Sequence, residues 1–190
     1  MKTKSWVVSI AVMMSLFAAE AQAHVGFHGT GLTAGMIHPF TGLDHLLAMV
    51  AVGAWAAQLG GRARWAVPLT FIAVMAAGGA WGGWAGWLPG VESGIAASVL
   101  VLGLLVAFSA RLPVAAGMAL AGTFALFHGY AHGAEMPGTV NLWLYALGFV
   151  FSTALLHAAG LAAGLAMKAR LVRLGGAGLA FAGLWMLAGI

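Results

Sequence analysis

The sequence has no cysteine and very little charge. Of its 190 residues, only 6% are Asp, Glu, Lys or Arg, against roughly a quarter in an ordinary soluble domain. The absence of Cys excludes disulfides, iron–sulfur clusters, thiolate metal sites and thiol nucleophiles. The scarcity of charge excludes a soluble globular protein, because eight basic and four acidic residues cannot cover a water-exposed surface.

The composition is instead strongly apolar, with 63% hydrophobic residues and 29 Gly. A chain of this kind must turn most of its surface to lipid, so we predict an integral membrane protein whose partner is the bilayer. The net charge of +4 does not indicate a nucleic-acid partner. It reflects few acids set against a few basic residues in short loops.

The first 23 residues have the pattern of a secretory signal peptide. Lys2 and Lys4 precede an apolar run over 6–19 that is too short to span a bilayer, and residues 21–23 read AQA, a small-residue cleavage site. Cleavage predicts a mature chain that starts at His24 outside the cytoplasm and forms a single membrane domain over 24–190.

The mature chain contains six apolar stretches long enough to cross a membrane, separated by short polar or Gly/Pro segments. We therefore predict an all-α bundle of six transmembrane helices. The predicted spans are 38–59, 66–86, 92–110, 113–132, 141–167 and 174–190.

The basic residues of the mature chain orient these spans. All of them fall after the first, third and fifth spans, so the positive-inside rule places those loops in the cytoplasm and both mature termini outside the inner membrane. The residues are Arg62, Arg64, Arg111, Lys168, Arg170 and Arg173.

Ligand-type residues cluster first in the motif HPFTGLDH, residues 38–45. If one helix begins at His38, then His38 and His45 lie two turns apart on one face and Asp44 lies roughly 9 Å below the outer end. An ionised carboxylate deep in a span costs on the order of 2.5–3.5 kcal/mol on insertion scales. Asp44 therefore needs a partner.

A second cluster is FHGYAHGAE, residues 127–135, at the outer end of the fourth span. The i, i+4, i+7 spacing stacks His128, His132 and Glu135 on one helix face. His128 would lie about 10 Å deeper than Glu135, a depth comparable to that of Asp44, so the two motifs are expected to meet. Glu92 begins the third span at the same membrane face, where it suits a helix N-terminus and could also receive a cation.

So many imidazoles and carboxylates at one face of an apolar chain favour metal binding over a purely structural network. Imidazole with carboxylate suits nickel, zinc, copper or iron rather than magnesium or calcium, and the lack of Cys argues against a Cu(I) site. His157 fits either an interhelical hydrogen bond or a deeper step on a pathway. His24 and His28 fit either a cation-capturing N-terminus or a mobile tail.

Several function classes fit this donor set. A site open to the outside in a multi-span protein favours transport, whereas a hydrolytic zinc site would need a fixed open position and a base such as Glu135. A non-transporting metal chaperone or sensor, and a bis-His haem protein, are further alternatives. No phosphate-binding loop for an ATPase is present in the sequence.

The two motifs resemble the signature motifs of the HupE/UreJ family, hydrogenase and urease accessory membrane proteins regarded as nickel permeases. The resemblance covers residues 24–190 and the signal peptide before them. It implies a permease rather than an enzyme, with no prosthetic group, that carries nickel or alternatively cobalt and is linked indirectly to hydrogenase or urease maturation.

The resemblance also implies which residues handle the metal. Five motif positions and one acid before the third span carry over: His38, Asp44, His45, His132, Glu135 and Glu92. His128 joins them mainly because of its helical spacing.

Overall fold

The structure is a computed structural model that describes residues 31–84, 88–136 and 141–189. The predicted signal peptide, His24 and His28 lie outside these residues. The described chain forms seven α-helices with a 3-10 turn, His38–Phe40, between the first two. The helices are α1 Gly31–Ile37, α2 Leu43–Leu59, α3 Ala63–Gly82, α4 Val91–Phe108, α5 Val114–Glu135, α6 Leu142–Ala166 and α7 Ala169–Gly189.

The predicted all-α membrane bundle is confirmed. The described residues contain no β-strand, and α3 to α7 are each long and apolar enough to cross a membrane. The segments Gly31–Phe40 and Leu43–Leu59 provide a sixth span if this bent pair is counted as one. The chain is therefore a multi-pass membrane protein with five continuous candidate spans in its described residues, or six if the bent pair is one span.

The expectation of one continuous first helix from His38 to Leu59 is wrong. The chain bends by 78° between the 3-10 turn and α2. The Thr41 hydroxyl and backbone N–H both donate to the His38 carbonyl, at 2.7 and 3.0 Å, which closes the turn. Gly42 is then extended, with φ −102° and ψ 117°, and Gly has little tendency to continue a helix. Asp44 consequently lies in the first turn of α2 rather than six residues into a helix, where its charge suits the helix N-terminus.

The other boundaries differ less from the prediction. Helix α3 begins three residues early, at Ala63, and α7 begins five residues early, at Ala169. Helix α5 continues through Glu135, so His128, His132 and Glu135 do share one helix. The short helix α1 was not predicted at all.

Glycines determine how closely the helices approach. The main pairings are α3 with α5, α4 with α7, and α6 with both α1 and α2. Each pairing has glycines on both helices at which a Cβ would collide with the backbone of the partner helix. Examples are Gly82 against Tyr130 and Gly129 against Met75, Gly103 against Ala180 and Gly176 against Ala107, Gly53 against His157 and Gly160 against Val50. Small residues of this kind are the usual means of close helix packing in lipid.

Helix α2 lies at the centre of the bundle. Met49, Val52 and Trp55 on this helix are completely buried, as is Phe71 on α3. Helix α7 is peripheral and packs mainly on α4. The core therefore surrounds α2, the helix that carries Asp44 and His45.

The two ends of the bundle differ in chemistry. At one end the Trp55 indole donates to the Ala110 carbonyl at 2.9 Å, and Arg173 Nε donates to the Ala107 carbonyl at 2.8 Å. The basic residues of the described chain lie at this end, and the ligand-type motifs lie at the opposite ends of α2 and α5. We call these the basic end and the motif end.

We predict that Gly103→Ala destabilises the bundle because the new methyl group collides with the backbone of α7 at Ala180. Overpacking of this kind typically costs about 1–3 kcal/mol. The matched control is Gly178→Ala, in the same pair of helices, where no atom lies within 4 Å of the added Cβ. Thermal unfolding in detergent should show a lower midpoint for Gly103→Ala than for Gly178→Ala; equal midpoints would contradict the close approach of α4 and α7.

Candidate metal centre

A three-residue group at the motif end has the geometry of a metal site. One ligand atom from each of His38, His132 and Glu135 lies within 4.8 Å of the others. His38 Nε2 is 3.6 Å from Glu135 Oε2, and the Glu135 side chain is 55% exposed. His132 is buried. The group therefore joins a carboxylate at the surface to an imidazole inside the bundle.

Asp44 and His45 form a tight pair beside this group. Asp44 Oδ1 lies 2.7 Å from His45 Nδ1 and also accepts the backbone N–H of His45 at 2.7 Å. A carboxylate on one imidazole nitrogen fixes the ring and leaves the other nitrogen to a metal, as is common around metal-binding histidines. His45 Nε2 is buried and has no hydrogen-bond partner among the described residues.

Gly42 makes room for this pair. A Cβ on Gly42 would lie 2.8 Å from Asp44 Oδ1 and 3.1 Å from His45 Nδ1. Its φ of −102° is accessible to any residue, so space rather than backbone conformation requires glycine here. The extended residue that breaks the first span is thus also the residue that admits the carboxylate–imidazole contact.

Four imidazoles follow one another from the surface into the bundle. The ring centroids are 4.6 Å apart for His38 and His132, 4.2 Å for His132 and His45, and 4.6 Å for His45 and His128. We call these four residues the histidine file. It begins at the partly exposed His38 and ends at His128, which is completely buried.

Four of the eight ring nitrogens in the file are buried without a hydrogen-bond partner among the described residues. Nδ1 of His128 and both nitrogens of His132 are buried without a hydrogen-bond partner among the described residues. His128 Nε2 is 2.8 Å from the Ser98 hydroxyl, which itself donates to the Ile95 carbonyl at 2.6 Å. Because buried polar atoms are normally hydrogen-bonded, a series of unpaired imidazole nitrogens points to a ligand. The donor set fits a borderline transition metal.

The file bridges two helices that make few other direct contacts, α2 and α5. Its wall is partly aromatic: the Phe149 ring lies 4.0 Å from His132, and Tyr145 lies 5.8 Å from His38. Ser98, Phe149 and Gly42 were not singled out in the sequence. Ser98 is one of very few hydroxyl residues in α4, which is the signal that could have identified it.

Two of the candidate histidines and acids stand apart from the file. Glu92 is exposed in the first turn of α4; it interacts electrostatically with Glu135 and Asp44 but does not join the three-residue group. His157 packs against the Phe71 ring, which also packs against His128. The structure therefore brings together His38, Asp44, His45, His128, His132 and Glu135.

We predict that Gly42→Ala lowers the affinity of the purified protein for Ni²⁺ by about tenfold, the low end of the effect of disturbing a partner of a metal ligand. The added methyl group would push Asp44 away from His45. Equilibrium dialysis measures the affinity, and Gly175→Ala, with open space around its Cβ, is the control. Unchanged binding in Gly42→Ala would show that the pair does not support a metal ligand.

Two comparisons with known proteins agree. The sequence model of the family described as HupE / UreJ protein matches residues 12–186. The chain is also 50% identical over 141 residues to Protein HupE of Rhizobium leguminosarum bv. viciae, an alignment that covers 74% of each protein. No solved structure matches the chain. The family match spans most of the chain and contains both motifs and the whole histidine file, so the protein belongs to the HupE/UreJ family.

Proposed function

We propose that this protein is a permease that imports a divalent transition metal, nickel in the first place and cobalt as the alternative, for hydrogenase or urease maturation. Membership in the HupE/UreJ family supports a general accessory role in metal transport rather than catalysis. The observation that carries the proposal is the histidine file, which leads from an exposed carboxylate to a completely buried imidazole. The mature chain, 24–190, would sit in the inner membrane with the motif end outside.

The first step is capture at the motif end. Glu92 and Glu135 are exposed carboxylates that attract a hydrated cation. The cation exchanges part of its water shell for His38, His132 and Glu135, whose ligand atoms are close enough to share one ion. Three ligands with waters retained give a moderate affinity, as passage through a channel or carrier requires.

The second step is transfer along the file. His132 has two unpaired nitrogens and lies next to His45, whose Nε2 is also unpaired. Asp44 holds His45 in orientation, so we assign it a positioning role rather than that of a direct ligand. His128, held by Ser98, offers Nδ1 at the deep end of the file.

Import needs no ATP if the motif end faces outward. A divalent cation moving inward gains roughly 4.6 kcal/mol per 100 mV of membrane potential. The basic end then faces the cytoplasm, in agreement with the positive-inside rule.

A hydrolytic zinc site accounts for only part of the arrangement. Such a site fixes three protein ligands around one ion and leaves one position open for water. His38, His132 and Glu135 have that ligand number, but His45 and His128 continue inward from them with further unpaired nitrogens among the described residues. That arrangement suits passing an ion from one ligand to the next.

We expect cells that lack their own nickel importers to accumulate radiolabelled nickel when they express this protein, and Asp44→Ala or His132→Ala to abolish the uptake. Thr123→Ala is the matched control, because Thr123 is exposed on α5 and bonds only within its own helix. Membrane levels are compared by immunoblot, and unlabelled cobalt is the competitor. No uptake above empty vector, with the protein inserted, would refute the permease and favour a chaperone, sensor or hydrolase.

We also expect nickel uptake into proteoliposomes to rise with an imposed inside-negative potential, because two positive charges cross with each ion. A potassium gradient with valinomycin sets the potential, and vesicles without the gradient are the control. Nickel uptake that does not change with the potential but follows a pH gradient would contradict movement of nickel without a coupled ion. It would instead indicate exchange of nickel with protons.

A further inference from the structure

One buried histidine lies beyond the histidine file. His157, on α6, is 3% exposed, and neither of its ring nitrogens has a hydrogen-bond partner among the described residues. A histidine in a membrane bundle ordinarily makes an interhelical hydrogen bond. His157 makes no such bond among the described residues, so an interhelical hydrogen bond does not explain its position. The ring presents two unpaired nitrogens inside the bundle.

One aromatic ring, that of Phe71, contacts both His157 and the deep end of the histidine file. The Phe71 centroid lies 5.7 Å from that of His128 and 5.2 Å from that of His157, and Phe71 is completely buried. His157 is therefore joined to the series of imidazoles by a shared contact with Phe71. It lies 15 residues, roughly 22 Å, from the start of α6 at Leu142 and nine residues, roughly 14 Å, from its end at Ala166.

The uncharged Phe71 ring and the Gly53 backbone pack against His157. One turn toward the motif end, the buried Thr153 hydroxyl contacts the Met75 sulfur at 3.9 Å. The carbonyl of His157 lies against Gly53 of α2, which brings the backbones of α2 and α6 together. An ion at the His157 ring would therefore meet an imidazole in an otherwise apolar region.

A cavity lies further along α6, toward the basic end. Two turns further along α6, roughly 10 Å away, Gly164 lines a cavity of about 230 Å³ together with Gln58 and Arg111. Gln58 donates through Nε2 to the Val106 carbonyl at 3.0 Å, while its buried Oε1 has no partner among the described residues. A polar acceptor thus stands between His157 and an opening at the basic end.

We propose that His157 is a second cation-binding station, which takes the metal from His128 past the Phe71 ring and passes it toward the cavity at Gln58. This assignment rests on the proposed permease function. With His157 the path contains a further ligand toward the basic end, so the ion would have a binding group in the middle of α6. Several weak stations in series are what passage requires.

The test compares His157→Leu, which removes the ligand, with His157→Met, which keeps a donor atom on an unbranched side chain. Thr153→Val is the matched control, since it changes a buried polar residue on the same face of α6 one turn away. Nickel uptake and the number of Ni²⁺ ions bound by the purified protein at saturation are measured for each variant at equal membrane levels.

The expected result is a loss of uptake in His157→Leu of about tenfold or more, at least the low end of the effect of changing a metal-site residue. The number of Ni²⁺ ions bound by His157→Leu should fall by about one per chain, while the site of His38, His132 and Glu135 is retained. His157→Met should keep more of the uptake than His157→Leu, because a thioether is a weaker nickel ligand than imidazole but still a donor, and Thr153→Val should resemble the unchanged protein. If His157→Leu does not reach the membrane, His157→Gln, which keeps a polar side chain without an imidazole, takes its place with the same expectation.

Native uptake and native binding in His157→Leu would overturn the proposal. So would equal defects in His157→Leu, His157→Met and Thr153→Val with no change in the number of bound ions, since that pattern indicates packing alone. If the unchanged protein takes up no nickel, the permease function fails. The number of ions bound by His157→Leu and by His132→Ala still decides separately whether His157 binds metal.

Discussion

Buried imidazole nitrogens without hydrogen-bond partners are the feature around which this bundle is built. Each unsatisfied buried polar group costs about 1–3 kcal/mol, and His45, His128, His132 and His157 all carry at least one. Close helix packing must offset that cost. The reciprocal glycines at the four main helix pairings provide this packing, because they bring backbones into contact and allow dense van der Waals contacts. A bound cation would give these imidazole nitrogens a partner. The unpaired nitrogens that lower the stability of the protein would therefore also provide its affinity for metal.

The sequence predicts a large part of this architecture. Apolar stretches of about 20 residues predict membrane helices. The bounds of α4 and α6 come close to the prediction because polar or Pro/Gly segments delimit these helices. The i, i+4, i+7 spacing of His128, His132 and Glu135 also predicts their common face, because α5 is regular through Glu135.

The remainder depends on contacts between segments distant in sequence. Helix α1 is short and gains its stability from packing on α6, so no local pattern indicates it. The break at Gly42 follows from the turn that Thr41 closes. This turn competes with a continuous helix, which Pro39 would also permit in its first turn. The order of the rings in the histidine file, and the place of Ser98 beside His128, follow from how α2, α4 and α5 are rotated about their axes. In an all-round apolar helix, the sequence does not specify that rotation.

The broken first span has a consequence for biosynthesis. Helix α1, which leads into His38, packs on α6, the next-to-last helix to be made, and Tyr145 and Phe149 of α6 line the outer part of the file. His132 arrives with α5 and must lie against Phe149. A nascent chain that has inserted only its first four helices therefore carries the ligands of the first motif without the surfaces that order them. The surroundings of the histidine file are therefore completed late in synthesis, when both α5 and α6 have been made.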